Sequence, residues 1–245
     1  MAQFSILKSL KSLKKMKPPT CTAVIAAAGI SVRCEGEDKL FYTINDKPVL
    51  AYTLDAFENC KLVDDIIVVA HEDRMDSISE LCLEYGYKKV SKIMKGGASR
   101  AESVMNGIFA ASAKARLIAI HDGARPCIDE RIIEETIHKA SMYNAAAPAV
   151  AIASTVKKVD GSVITKTIDR EGLYEIQTPQ IFRVELIKAA LTKVIKKSIE
   201  ITDDCMAVEL IGVPVHITEG SRRNIKITDN QDFRIVEALL NEENY

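Results

Sequence analysis

The stretch Cys21-Thr22-Ala23-Val24-Ile25-Ala26-Ala27-Ala28-Gly29-Ile30-Ser31-Val32-Arg33, with Lys39 following shortly after, decides how the rest of the chain is read. An apolar run empties into a loop of small residues, the pattern of a buried parallel strand with a sharp turn at its carboxyl end. Small side chains there let backbone N–H groups approach phosphate oxygens, and fixed cations a few residues on neutralise charge that water otherwise solvates. The stretch therefore predicts a triphosphate cradle at the carboxyl edge of an α/β sheet.

Outward from this strand, apolar runs alternate with amphipathic segments. Strands are expected at residues 23–27, 66–70, 89–94, 117–121, 147–151 and 213–217, and helices at 48–58, 75–85, 100–113, 129–143, 184–198 and 229–241. That alternation predicts a Rossmann-like, mostly parallel sheet flanked by helices on both faces. Gly107 falls inside one helix and weakens it locally. One stretch, about 152–182, breaks the rhythm: strand-like runs at 155–159 and 163–168 are joined by Asp160-Gly161, a hairpin signal. A hairpin projecting from such a body exposes strand edges that invite a partner chain, so it is read as the dimerisation arm of a homodimer.

Composition bounds the alternatives. A length of 245 residues allows one α/β domain, placed at 21–245, and a formal net charge of -1 argues against nucleic-acid or anionic-membrane partners. The six cysteines show no C-x-x-C pair or zinc-ligand spacing, which points to a reducing, cytoplasmic setting. Residues 1–20 carry many lysines and no acids up to Pro18-Pro19. The lysines interrupt any apolar run, so this segment reads as a flexible basic extension, neither a secretory signal nor a membrane span.

Three further constellations end predicted strands. His121-Asp122-Gly123-Ala124-Arg125-Pro126 brings an acid and a base to the same edge as the cradle; Asp122 suits a magnesium ion bridging phosphates and Arg125 a substrate anion, while the bland alternative is that Arg125 merely pairs with Asp122 across a turn. Lys95-Gly96-Gly97-Ala98-Ser99-Arg100-Ala101-Glu102-Ser103 lets backbone approach a flat ring and puts Ser103 on the first helical turn, with Ser99 and Glu102 spaced for a capping box. Asn224-Ile225-Lys226-Ile227-Thr228 reads as a strand with Lys226 facing away from the core, at the same rim as Arg33 and Lys39. A dinucleotide oxidoreductase is disfavoured, because no G-x-G-x-x-G is present and the loop carries cations.

Together these pieces resemble the 2-C-methyl-D-erythritol 4-phosphate cytidylyltransferase family of the non-mevalonate isoprenoid pathway. The resemblance rests on the Ala27-Ala28-Gly29 loop with Arg33 and Lys39, Gly96-Gly97 with Arg100 and Ser103, and the 121–126 motif. It continues through Thr167-Ile168-Asp169-Arg170, Gln177-Thr178-Pro179-Gln180, Ile201-Thr202-Asp203-Asp204 and the 224–228 motif, all in the family's order. It implies transfer of a cytidylyl group from CTP to a polyol phosphate with release of pyrophosphate, aided by Mg2+ or another divalent cation. By the same resemblance Arg33, Lys39 and Lys226 are catalytic, and Ala27, Ala28, Gly29, Gly97, Ala98, Ser103 and Asp122 bind CTP. Asp122, Arg125, Thr155, Arg170, Thr178 and Thr202 bind the acceptor, Thr155 and Arg170 reaching the neighbouring subunit's site, and Asp122 also meets the metal. The chain departs from the family where Ser31 replaces a second glycine, Cys34 a methionine, and Ala98 a frequent acid. A ribitol 5-phosphate cytidylyltransferase and a non-catalytic nucleotide-binding protein are the rival readings.

Overall fold

The computed structural model describes residues 20–29 and 38–242; the basic extension up to Pro19, and Ser31, Arg33 and Cys34, lie outside the described residues. In chain order the strands are β1 (Cys21–Ala27), β2 (Thr43–Ile44), β3 (Lys47–Pro48), β4 (Asp65–Ala70), β5 (Val90–Lys95), β6 (Leu117–Asp122), β7 (Ala145–Ala151), β8 (Val156–Asp160), β9 (Val163–Ile168), β10 (Tyr174–Ile176), β11 (Gln180–Arg183) and β12 (His216–Glu219). The helices are α1 (Val49–Asn59), α2 (Met75–Tyr85), α3 (Arg100–Ala110), α4 (Glu130–Tyr143), α5 (Val184–Lys196), α6 (Asp204–Glu209) and α7 (Asn230–Glu242).

The opening strand, β1, lies inside the sheet, between β4 and β6, both parallel to it; β5 extends the parallel set beyond β4. Its side chains alternate between two apolar layers: Cys21, Ala23, Ile25 and Ala27 join the layer formed with α1, α2, α4 and α7, while Val24 joins that of α3, α5 and α6. A strand buried on both faces has to be apolar throughout, which is why β1 shows no polar alternation. The expected α/β architecture is the one observed, and homologous structures described below share it.

The far side of β6 is antiparallel, through β10 and β11, where the sequence pattern predicts no strands. β11 pairs with β6 and with the start of β7, and β10 pairs with the end of β7. Because Ala146 faces both Ile181 and His216, and Ala149 both Ile176 and Glu219, β12 lies on one edge of β7 while β10 and β11 share the other. They form one strand interrupted at Gln177-Thr178-Pro179, where the Thr178–Pro179 bond is cis. That interruption leaves the carboxyl end of β6 open, since β11 pairs only with Leu117 to Ile120.

Other expectations need correction. The strand expected at 213–217 forms at β12, three residues later, and residues 224–228 are not a strand. That segment is instead tied down piecewise, the Ile227 N–H donating to Ala124 O at 2.9 Å with the Ile227 side chain fully buried. The hairpin forms as β8 and β9, but Asp160 pairs with Val163, so the two-residue loop is Gly161-Ser162 rather than Asp160-Gly161. Gly161 alone of the pair takes a positive φ, 56°, the signature of a II′ turn.

Candidate active site

The carboxyl ends of β1, β4, β5 and β6 lie along one edge of the sheet, and at β1 the chain order reverses, with β4 and β5 on one side and β6 on the other. Open α/β sheets bind ligands in the crevice at such a switch point. Ala27, Ala28 and Gly29 stand there, and Gly29 O accepts from Arg74 Nη1 at 2.9 Å.

Asp122 ends β6 and is the focus of the charge. Its Oδ1 is met by Arg100 Nη1 at 3.3 Å, and its Oδ2 by Lys226 Nζ at 3.0 Å and Arg125 Nε at 3.3 Å. Burial opposes ionisation, yet the Arg100, Lys226 and Arg125 charges outweigh it and hold the Asp122 carboxyl well below the usual carboxylate range. Arg125 thus does make the turn-closing pair that the bland reading expects. It also does more: its Nη1 donates to Asn224 O at 2.7 Å, while Asn224 Nδ2 donates to Thr178 O at 2.9 Å. Lys39 Nζ donates to Ile227 O at 3.1 Å. The 224–228 segment, the end of β6 and Lys39 are therefore brought together as the sequence motifs implied, by side-chain bonds to an irregular backbone and not by strand pairing.

The loop between β5 and α3 is built tightly. A Cβ on Gly96 would meet Ala28 Cβ at 2.7 Å and one on Gly97 would meet Glu102 Cβ at 2.4 Å, so both positions exclude a side chain. Ser99 and Glu102 form the expected capping box at the start of α3. Two of the expected ligand-facing groups are already engaged: Gly97 N–H donates to Ser103 Oγ at 3.0 Å and Ala98 N–H to Glu102 Oε2 at 2.7 Å. Ser103 also donates to Ser99 O at 2.9 Å, so its hydroxyl shapes this loop.

The acceptor-side residues fall in different places. A groove of about 510 Å³ is lined by Arg125, Asn224, Lys226 and Arg222 and, at the root of the arm, by Ala153 and Ser154. Thr155 and Arg170 are exposed on the arm and do not line this groove; the Arg170 guanidinium bonds Ala153 O. Thr178 is buried, its hydroxyl accepting the Asp122 N–H at 3.2 Å and lying 3.0 Å from His121 Nδ1, so it braces the end of β6 from within. Thr202 is exposed just before α6, its hydroxyl against Met206 Sδ. Sequence reasoning assigned no role to Asp204, fully buried beneath Arg100, or to Gln180; a carboxylate flanked by Cys205, Ala207 and Val208 was the available signal, since a buried charge needs a partner.

Known proteins share this sequence pattern and fold. The sequence model described as 2-C-methyl-D-erythritol 4-phosphate cytidylyltransferase matches residues 21–242. The curated protein of that name from Clostridium acetobutylicum is 40% identical over 221 residues, covering 89% of this chain and 96% of its own. Its counterpart from Dehalococcoides mccartyi strain CBDB1 is 41% identical over 223 residues, covering 89% and 95%. The crystal structure of 4-diphosphocytidyl-2C-methyl-D-erythritol synthase from Anaerococcus prevotii superimposes with a TM-score of 0.81 at 30% identity, over 91% of this chain and 98% of that one. With a match spanning every strand from β1 to β12, the chain belongs to the 2-C-methyl-D-erythritol 4-phosphate cytidylyltransferase family.

Proposed function

We propose that this chain transfers a cytidylyl group from CTP to 2-C-methyl-D-erythritol 4-phosphate, giving 4-diphosphocytidyl-2-C-methyl-D-erythritol and pyrophosphate in isoprenoid precursor biosynthesis. The observation that carries the reading is the convergence of Arg100, Arg125 and Lys226 on one carboxylate, Asp122, at the switch point of the sheet. Three cations stand against two carboxylates, Asp122 and the Asp204 that also pairs with Arg100, and the excess positive charge lies where a triphosphate and a second phosphate must be held together.

The reaction needs no protein nucleophile. A phosphate oxygen of the acceptor attacks the α-phosphorus in line, the bond to the bridging oxygen of the leaving pyrophosphate breaks, and catalysis consists of positioning two repelling anions and neutralising developing charge. Lys39 and Lys226, with Arg33, supply that neutralisation. Backbone at Ala27, Ala28 and Gly29 cradles phosphate oxygens, and the loop of Gly97, Ala98 and Ser103 receives the cytosine. Arg125 faces the acceptor from the groove, and Thr178 sets the end of β6.

Asp122 is the carboxylate at this edge and both its oxygens already meet Arg100, Arg125 and Lys226, so a hard divalent cation such as magnesium would be held there chiefly by phosphate oxygens and water. Asp122 would be its protein contact, and when bound the ion would neutralise triphosphate charge. The arm supports a homodimer. A two-stranded hairpin is marginal alone, and Val159, Val163 and Ile164 are half or more exposed on it, so a second copy has apolar surface to cover and Thr155 and Arg170 can reach a partner's site. No helix among the described residues is long and apolar enough to cross a membrane.

The test is pyrophosphate release from CTP and magnesium with either 2-C-methyl-D-erythritol 4-phosphate or ribitol 5-phosphate. Release with the former carries the reading; release only with the latter moves the chain to the rival acceptor. CTP binding without release under either condition would overturn enzymatic function.

A further inference from the structure

Arg100, the first residue of α3, spans two carboxylates. Its Nη1 reaches Asp122 Oδ1 at 3.3 Å, and its Nη2 reaches Asp204 Oδ2 at 2.7 Å, the shorter and better contact. Asp204 opens α6 and is 0% exposed, so no ligand in the crevice can touch it. It is held rigidly: Gln180 Oε1 accepts the backbone N–H groups of Asp204 at 2.9 Å and Cys205 at 3.0 Å, while Gln180 Nε2 donates to Asp203 Oδ2 at 2.8 Å. Gln180 itself begins β11, directly after the strand interruption beside Asp122.

The remaining oxygen of Asp204, Oδ1, is buried without a hydrogen-bond partner. A fully buried carboxylate with one oxygen unsatisfied is an expensive way to start a helix; an apolar residue or a surface cap would fold at lower cost. Burial does push the Asp204 carboxyl above its usual range, against the pull of Arg100. Among the described residues its ion-pair partner is Arg100.

We infer that Asp204 and Arg100 are a positioning pair for the nucleotide site. Asp204 anchors the guanidinium from below, so that Nη1 fixes Oδ1 of Asp122 and leaves Oδ2 to Lys226 and Arg125. Because a guanidinium is planar and its donors are rigidly spaced, an anchor on one nitrogen sets the direction of the other. The same residue follows Ser99, whose capping box shapes the base-side loop, and precedes Ser103 by one turn. Arg100 thus sets the separation between the loop that takes the base and the carboxylate edge that faces the phosphates. This rests on the function proposed above, in which that edge is the phosphate side of the site.

The test compares wild type, Arg100→Gln, Asp204→Asn and the double variant, measuring kcat and KM for CTP in the pyrophosphate assay alongside thermal unfolding. KM reports the folded molecules only, so it separates positioning from loss of active protein. Each single variant is expected to raise KM for CTP about tenfold or more, in keeping with the cost of small misplacements in such sites. The double variant is expected to be no worse than Arg100→Gln alone, since Asp204 acts through Arg100. Arg100 is part-exposed, so Arg100→Gln keeps the test open if Asp204→Asn does not fold. A KM for CTP within twofold of wild type in either folded single variant, or effects that multiply in the double, would overturn the inference. Absence of turnover in wild type would instead sink the proposed function.

Discussion

Gly107→Ala sets two physical effects against each other, and the structure decides the sign. Gly107 lies in the middle of α3, where replacing glycine by alanine ordinarily stabilises by about 1 kcal/mol through backbone entropy. Here a Cβ would stand 2.5 Å from Val24 Cγ1 and 2.8 Å from Val69 Cγ2, where carbon atoms normally rest at about 3.5–4.0 Å. Neither valine can easily give way: both are β-branched, with stiff side-chain torsions, and both lie on the paired strands β1 and β4 with 1% exposure or less. Overpacking of this kind costs about 1–3 kcal/mol, and two rigid contacts place this case in the upper half of that range. The net expectation is destabilisation by about 1–2 kcal/mol, read as a lowered urea midpoint at unchanged m-value. Val24→Ala should relieve most of the clash, so the pair Val24→Ala/Gly107→Ala should be less destabilised than the sum of the singles. Relief by moving the helix instead would carry Arg100 and Ser103 outward and lower kcat/KM. A Gly107→Ala protein as stable as wild type would refute the close-approach argument.

His121 provides a test by pH. Its imidazole is fully buried, and burial first, with Arg125 and Lys226 adding to it, lowers its pKa to about 3, so the folded protein holds it neutral. The stability from this group is fully present above the unfolded value of about 6.5 and is lost as pH falls from there towards 3. About 2 kcal/mol should disappear between pH 7 and pH 5. Wild type should lose that much more than His121→Gln in urea unfolding over this interval, and parallel pH profiles would contradict it. Lys226→Ala, removing the cation 3.0 Å from Asp122, should lower kcat about 100-fold or more, whereas near-normal turnover would remove Lys226 from the chemistry. On the arm, Val163→Glu with Ile164→Lys should convert a dimer to monomer in sedimentation while leaving the fold intact; an unchanged sedimentation profile would place any interface elsewhere.

How much of this was legible in the chain depends on the range of the forces involved. The parallel core could be read directly because burial on both faces demands continuous apolar strands, and β1, β4 and β6 have them. The capping box at Ser99 and Glu102 and the hairpin of β8 and β9 were legible too, because both are local, set by residues a few positions apart. Even the hairpin's loop shifted by one residue, since Asp160 is recruited into pairing with Val163 and only Gly161 needs a positive φ. The antiparallel strands β10 and β11 leave no signal in the sequence because each is too short to show a period.

The candidate site divides along the same line. Residues 21–29, 121–126 and 224–228 announced themselves by type and order, which was enough to suggest phosphate chemistry and a family. Their arrangement was not in the order. Lys226 reaches Asp122 from an irregular segment held by Asn224 and Ile227, and Thr178 turned inward to brace β6. Asp204 meets Arg100 from 104 positions away. The sequence by itself determined which chemical groups stand at the ends of strands, because hydrophobic periodicity and turn residues act locally. Only the tertiary structure decided which of those groups meet, because ion pairs and buried hydrogen bonds form between distant segments once packing has closed the distance and excluded water.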